Sequence, residues 1–231
     1  MKRPARIAAW LAVAAAGAFL GLQLSYLARV WWWRDHDPRT TAFMQARLEE
    51  MRRRDPSARL HQAWVPYPRI STSLKRAVVV AEDSRFVDHE GFDWEAIEKA
   101  HEKNVRKGHV VAGGSTISQQ LAKNLFLSAR RTPWRKGQEA LITVMIEHVM
   151  DKRRILELYL NVIEWGDGVF GAEAAARHYF GVSAAALGPE QGARLAAMVP
   201  RPRYYDHHRS TRWLEHRTQT IVARMPAAEI P

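Results

Sequence analysis

Residues 113–139 read G-G-S-T-I-S-Q-Q-L-A-K-N-L-F-L-S-A-R-R-T-P-W-R-K-G-Q-E. Lys123, Arg130, Arg131, Arg135 and Lys136 crowd into this stretch, and one carboxylate, Glu139, closes it. Gly113 and Gly114 lead into Ser115, a helix-capping residue type, and an amphipathic run follows. Free N–H groups at a helix N-terminus attract anions, and guanidinium and ammonium groups suit phosphate oxygens. The pattern predicts a phosphate or pyrophosphate site with an acid inside it. The plainer alternative is a solvated basic helix face. A second carboxylate, Glu82, ends an earlier helical pattern and is followed by Asp83. Carboxylates at a helix C-terminus oppose the macrodipole, so the placement hints at a use. Two carboxylates suit sugar chemistry: one takes a proton from a hydroxyl nucleophile, and the other serves the opposite face or the leaving group. Taken singly, the remaining polar residues read more modestly. His89 suits a hydrogen-bonded structural role, Ser115 has no partnered His–Asp spacing, and Gln120 and Asn124 suit polar helix positions facing a cleft or solvent.

The elements that must position these groups are mostly helical. Ser71, Thr72 or Ser73 can cap a helix that delivers Glu82 and Asp83. Asp93 caps a second over 94–107, closed by Gly108. A third spans about 116–127. Thr132-Pro133 opens a fourth that carries Glu139 to about Met150. Asp151 caps a helix over 152–161, and 164–171, E-W-G-D-G-V-F-G, reads as a glycine-rich loop. Further helices are predicted over 173–179, 189–199 and 210–224, with Pro200-Arg201-Pro202 breaking the chain. Val65-Pro66-Tyr67-Pro68 is predicted to be extended, because residues before proline avoid the α region. No run of alternating strand residues and no internal repeat is present.

The chain has 231 residues, enough for one main domain, and 47% hydrophobic residues, enough for a core. Its net charge of +11 favours polyanions: nucleic acid, anionic lipid headgroups or phosphorylated substrates. It has no cysteine, which excludes disulfides and zinc–thiolate sites. Lys2, Arg3 and Arg6 precede an apolar stretch over 7–28 whose only polar members are Gln23, Ser25 and Tyr26, and Trp31, Trp32 and Trp33 follow. About 20 apolar residues span a bilayer, and tryptophan gathers at its interface. The reading is an uncleaved anchor, residues 1–34, with a cytoplasmic N-terminus; a cleaved signal peptide is the alternative. Residues 35–69 form a juxtamembrane connector and 70–231 the main domain.

Together, E-D-S-R-F-V-D-H-E-G at 82–91, G-G-S-T-I-S-Q-Q-L-A-K-N at 113–124, R-K-G-Q-E at 135–139, K-R-R-I-L-E-L-Y-L-N at 152–161 and W-G-D-G-V-F-G-A-E-A-A-A-R-H-Y-F-G at 165–181 resemble the family 51 glycosyltransferases, the peptidoglycan polymerases. The likeness covers about 74–202 and is greatest to the monofunctional form. It implies a mostly α, lysozyme-like fold with a small membrane-proximal lobe. It also implies inverting polymerisation of lipid II at the periplasmic face of the inner membrane. Carried over, Glu82 is the base for the acceptor hydroxyl and Glu139 assists the donor side. Lys123, Arg131, Arg135 and Lys136 surround the donor pyrophosphate, and Asp83, His89, Ser115, Gln120 and Asn124 line the cleft. The implied partners are lipid II, the growing glycan, the inner membrane and other cell-wall or division proteins, and not nucleic acid. No resident metal is implied, although a divalent cation, Mg or Mn, is a candidate companion of the pyrophosphate. No S-x-x-K or K-T-G motif occurs, so a transpeptidase activity is not expected. The competing readings are a lysozyme-like hydrolase or lytic transglycosylase, and a non-catalytic membrane-tethered polyanion-binding protein.

Overall fold

The computed structural model describes residues 3–109, 113–127 and 132–231. Arg130 and Arg131 therefore lie outside the described residues. An uninterrupted apolar run makes α1 (Arg3–Asp35) a single helix of 33 residues. It is long and apolar enough to cross a membrane. At ~1.5 Å per residue it is roughly 50 Å long, more than the ~30 Å hydrocarbon core of a bilayer.

The caps account for most of the remaining helices. Thr41 opens α2 (Ala42–Arg52) and Ser71 opens α3 (Thr72–Glu82), each accepting a hydrogen bond from a backbone N–H of the first turn. Asp93 opens α4 (Trp94–Lys107), which Gly108 ends in the left-handed conformation. Thr132 and Pro133 open α6 (Pro133–Val149), and Asp151 opens α7 (Lys152–Val162). The intervening α5 (Ile117–Phe126) corrects one expectation, because Thr116 rather than Ser115 is its cap. Thr116 Oγ1 accepts from Gln119 N at 3.2 Å, while Gln119 Oε1 accepts from Thr116 N at 3.0 Å. This reciprocal pairing satisfies two orphan donors at once, which leaves the Ser115 side chain for the cavity described below.

Three further expectations are corrected. The glycine-rich segment is a hairpin of β2 (Glu164–Gly166) and β3 (Val169–Phe170), and β1 (His61–Gln62) joins it in a sheet of order β1-β3-β2. β1 runs parallel to β3, with His61 opposite Val169, and β2 runs antiparallel to it. Strands of two or three residues carry no readable alternation. Gly168 makes the hairpin turn at φ +74°, and a Cβ there would meet Met51 Cε at 2.8 Å. Tyr67–Arg69 forms one 3-10 turn instead of continuing extended; Pro68 fits there because N–H groups of a first turn are unpaired in any case. Pro202 likewise opens a short helix, α10 (Pro202–His207), where a break was expected.

α8 (Ala172–Phe180), α9 (Pro189–Met198) and α11 (Arg212–Arg224) complete the mostly α fold. α9 is sandwiched between α3 and α11, and α5 packs against both α6 and α7. Trp165, Tyr159, Phe86 and Phe170 are the bulkiest buried side chains. Each such burial contributes about 1.5–3 kcal/mol, so this core holds the ends of α3, α5 and α6 around one cleft.

Candidate active site

α3 delivers Glu82 at its last residue, partly buried. Glu82 Oε2 accepts a hydrogen bond from Gln120 Nε2 at 2.8 Å, and Gln120 Oε1 accepts from the Tyr159 hydroxyl at 2.8 Å. Burial pushes the Tyr159 phenol well above its ordinary value, with Glu82 and Asp83 adding to the effect. It therefore remains a donor, which fixes the Gln120 amide with its N–H toward Glu82. Burial also pushes the Glu82 carboxyl up. The Gln120 hydrogen bond and the charges of Arg217 and Lys123 oppose that rise, and Asp83 reinforces it. A partly buried carboxylate with a raised pKa and an oriented hydrogen bond is equipped to take a proton.

Asp83 and His89 act beside this group and outside the main cavity. Asp83 Oδ2 accepts from Ile117 N at 2.9 Å, tying the end of α3 to the start of α5. Gly91 N donates to His89 Nδ1 at 3.1 Å, so Nε2 carries the hydrogen and donates to Asp83 Oδ1 at 2.9 Å. His89 thus ties this junction together; it does not line the main cavity but a separate surface space with Phe92 and Trp94. Gly114 belongs to the same junction: a Cβ there would lie 2.8 Å from Ile97 Cα, so the loop before α5 can rest directly on α4.

The main cavity measures about 500 Å³, and its lining includes Ser115, Gln120, Lys123, Asn124, Arg135, Lys136 and Glu139. The structure therefore gathers seven sequence-indicated residues. Ser115 also lines the smaller space beside Glu82, and Gln120 contacts Glu82 directly, so the two regions are joined. Glu139 is buried and accepts from Lys136 Nζ at 2.5 Å and from Arg135 Nη1 at 3.4 Å. Thr132 and Pro133 place these groups in the opening turns of α6, where the helix dipole adds positive potential. Burial pushes the Lys123 ammonium down, with Arg135 and Lys136 adding to that and Glu139 and Glu82 opposing it. Asn124 Nδ2 donates to Gln120 O at 2.8 Å, steadying the turn that bears Gln120. Such a concentration of donors and cations can bind an anion and stabilise charge on a departing group.

The rest of the cavity wall includes Phe43, Ile163, Glu164, Val199, Pro200, Pro202 and Arg203. Buried Glu164 accepts from Arg47 Nε at 3.0 Å and lies 3.5 Å from Arg203 Nε. Burial pushes its carboxyl up, against the charges of Arg203 and Arg47. Sequence reasoning missed this wall. No local signal set these residues apart: Glu164 shares its segment, 164–171, with a second carboxylate, Asp167. The cavity's two carboxylates, Glu139 and Glu164, are both already ion-paired, and among the described residues no group of three or more His, Asp or Glu side chains is disposed to hold a metal ion.

The family described as Transglycosylase matches residues 48–226. A biosynthetic peptidoglycan transglycosylase of Chromobacterium violaceum is 58% identical over 226 residues, covering 98% of this chain and 99% of the relative. One from Dechloromonas aromatica is 62% identical over 215 residues, 93% of each chain, and one from Janthinobacterium sp. (strain Marseille) is 55% identical over the full length of both. The chain thus belongs to the transglycosylase family, in the group of the biosynthetic peptidoglycan transglycosylases.

Proposed function

We propose that this chain is a peptidoglycan glycosyltransferase of cell-wall synthesis. It polymerises lipid II into linear β-1,4 glycan strands with inversion and releases undecaprenyl diphosphate. One observation carries the reading: Gln120 of α5 lines the cation-edged cavity and also hydrogen-bonds Glu82. A proton acceptor and an anion-stabilising group are therefore served by one helix.

Glu82 is the general base. It removes the proton from the acceptor sugar's 4-hydroxyl as that oxygen attacks the anomeric carbon of the growing strand. Lys123, Arg135 and Lys136 stabilise charge developing on the leaving pyrophosphate, and Glu139 holds Arg135 and Lys136 in place. Arg131 is assigned to the same group from its motif alone. Asp83 and His89 hold the junction of α3 and α5, and Ser115 and Asn124 contact substrate across the cavity mouth.

In this reading residues 1–34 anchor the chain in the inner membrane, 35–69 connect, and 70–231 act in the periplasm. The family match begins at residue 48, inside the connector. The test is incubation of the purified full chain with labelled lipid II. Lengthening glycan strands are expected. Shortening of preformed strands would instead support a lytic enzyme, and binding of anionic lipid or nucleic acid without turnover would support a non-catalytic role.

A further inference from the structure

A helix that only tethers a domain needs no particular rotation about its axis, but α1 has one. Phe19, Gln23, Tyr26, Val30 and Trp33 recur at three- and four-residue spacing and share one helical face. On that face Gln23, Tyr26 and Val30 are buried, while Leu20, Leu24, Leu27 and Trp31 on the other sides are exposed. The face meets α5 and α6. Phe19 packs on Trp134 with ring centroids 5.8 Å apart, and Tyr26 and Trp33 pack on Phe126 at 5.2 and 5.1 Å. The Arg29 guanidinium lies over the rings of both Tyr26 and Phe126. At the end of the helix, Arg154 of α7 donates to the carbonyls of Trp33 and His36 at 3.0 and 2.8 Å and to Asp37 at 2.9 Å. The Trp33 carbonyl is one of the acceptors that a helix C-terminus leaves open.

In the middle of this apolar face lies a polar contact: Gln23 Nε2 donates to Gln138 Oε1 at 2.9 Å, and both side chains are buried. A polar group in an apolar span is costly without a partner. Gln23 Oε1 has none, so Gln138 is the group that satisfies this side chain. Gln138 immediately precedes Glu139, in the turns of α6 that also carry Arg135 and Lys136. Apolar contacts alone would dock the helix. A directional amide bond additionally fixes which residue faces which.

We propose that α1 is a positioning element of the active site as well as an anchor. Docked at one rotation, it uses the Gln23–Gln138 hydrogen bond to hold the opening turns of α6 where Arg135, Lys136 and Glu139 meet the leaving group. This rests on the assignment of those three residues to the leaving-group side. The contribution falls on kcat, because a misrotated anchor still tethers the chain beside its substrate.

The test uses the full chain in lipid vesicles with labelled lipid II. An interhelical hydrogen bond in an apolar setting is worth about 3- to 30-fold, so Gln23→Leu should lower kcat by about that factor, with KM held and the helical fold retained by circular dichroism. The double variant with Gln138→Leu should lose no more than either single one. Ser25→Leu, on the exposed side, should match the parent. Should Gln23→Leu fold poorly, the helical phase gives a second route. One alanine inserted after Leu27 turns the two halves of the docking face by about 100° relative to each other and should depress kcat. The same insertion after Val13 should not. Parental kcat in Gln23→Leu and in the Leu27 insertion, while Glu139→Gln loses activity, would overturn the coupling and leave the site assignment standing. Parental kcat in Glu139→Gln as well would overturn both.

Discussion

Ionising Glu82 costs the folded chain something, because burial and the adjacent Asp83 raise its pKa against the pull of Gln120, Arg217 and Lys123. Below the ordinary carboxylate range the group is neutral in both folded and unfolded states and the cost vanishes. Above the raised folded value it is charged in both states, and the folded state alone bears the desolvation. Glu82→Gln is therefore predicted to melt at the parental temperature or higher near neutral pH, with the difference shrinking as pH falls toward about 4. A lower melting temperature at neutral pH, measured calorimetrically, would contradict this. Lys136 pairs with Glu139 at the cavity edge. Lys136→Ala should lower turnover by roughly 10²-fold or more with folding intact, and Lys136→Glu should be worse; steady-state rates on lipid II check both. The residues of this cationic wall were legible because they fall in contiguous motifs, where residue type and spacing announce a charge cluster. Glu164, Arg203 and Phe43 were not. They reach the cleft from separate elements, and nothing in their immediate sequence marks a tertiary meeting point.

α5 carries Gln120, Lys123 and Asn124, so its N-terminus fixes three cavity positions at once. Thr116 closes a capping box there and also donates to Gly91 O at 2.7 Å. Thr116→Ala should destabilise the chain by about 1 kcal/mol, with a proportionate drop in melting temperature by circular dichroism. Thr116→Ser should recover most of the loss. An unchanged melt in Thr116→Ala would mean that the box does not hold this helix. Helices with side-chain caps were readable to within a residue or two, because the capping chemistry is local. Thr116 was passed over for Ser115 because both are capping types, and only the partner three residues on, Gln119, decides between them. The three short strands were unreadable for a different reason. The β2–β3 hairpin is stabilised by burial of Trp165 and Phe170 and by pairing with the distant β1, so its cause lies outside its own sequence.

At the scale of the molecule, an apolar helix some 50 Å long is continuous with the body of the fold along one face. The anchor and catalytic machinery are thus expected to remain in one chain. N-terminal sequencing of the mature protein should find residues before Arg29, and a mature chain beginning near Arg29 would contradict retention. Added protease should digest the domain in intact spheroplasts; protection would contradict the periplasmic orientation. The central claim is that Glu82 takes the acceptor's proton while Glu139 serves the leaving-group side. It is tested most directly by pH–rate profiles of the parent, Glu82→Gln and Glu139→Gln with lipid II, alongside a melt of each. The parental rate should rise with pH along an acidic limb displaced above the ordinary carboxylate range, as the raised pKa of Glu82 requires. Glu82→Gln should lose about 10²–10⁴ in rate, together with that limb. Glu139→Gln should be slower throughout but keep the limb. An active Glu82→Gln enzyme with the parental limb would contradict the account.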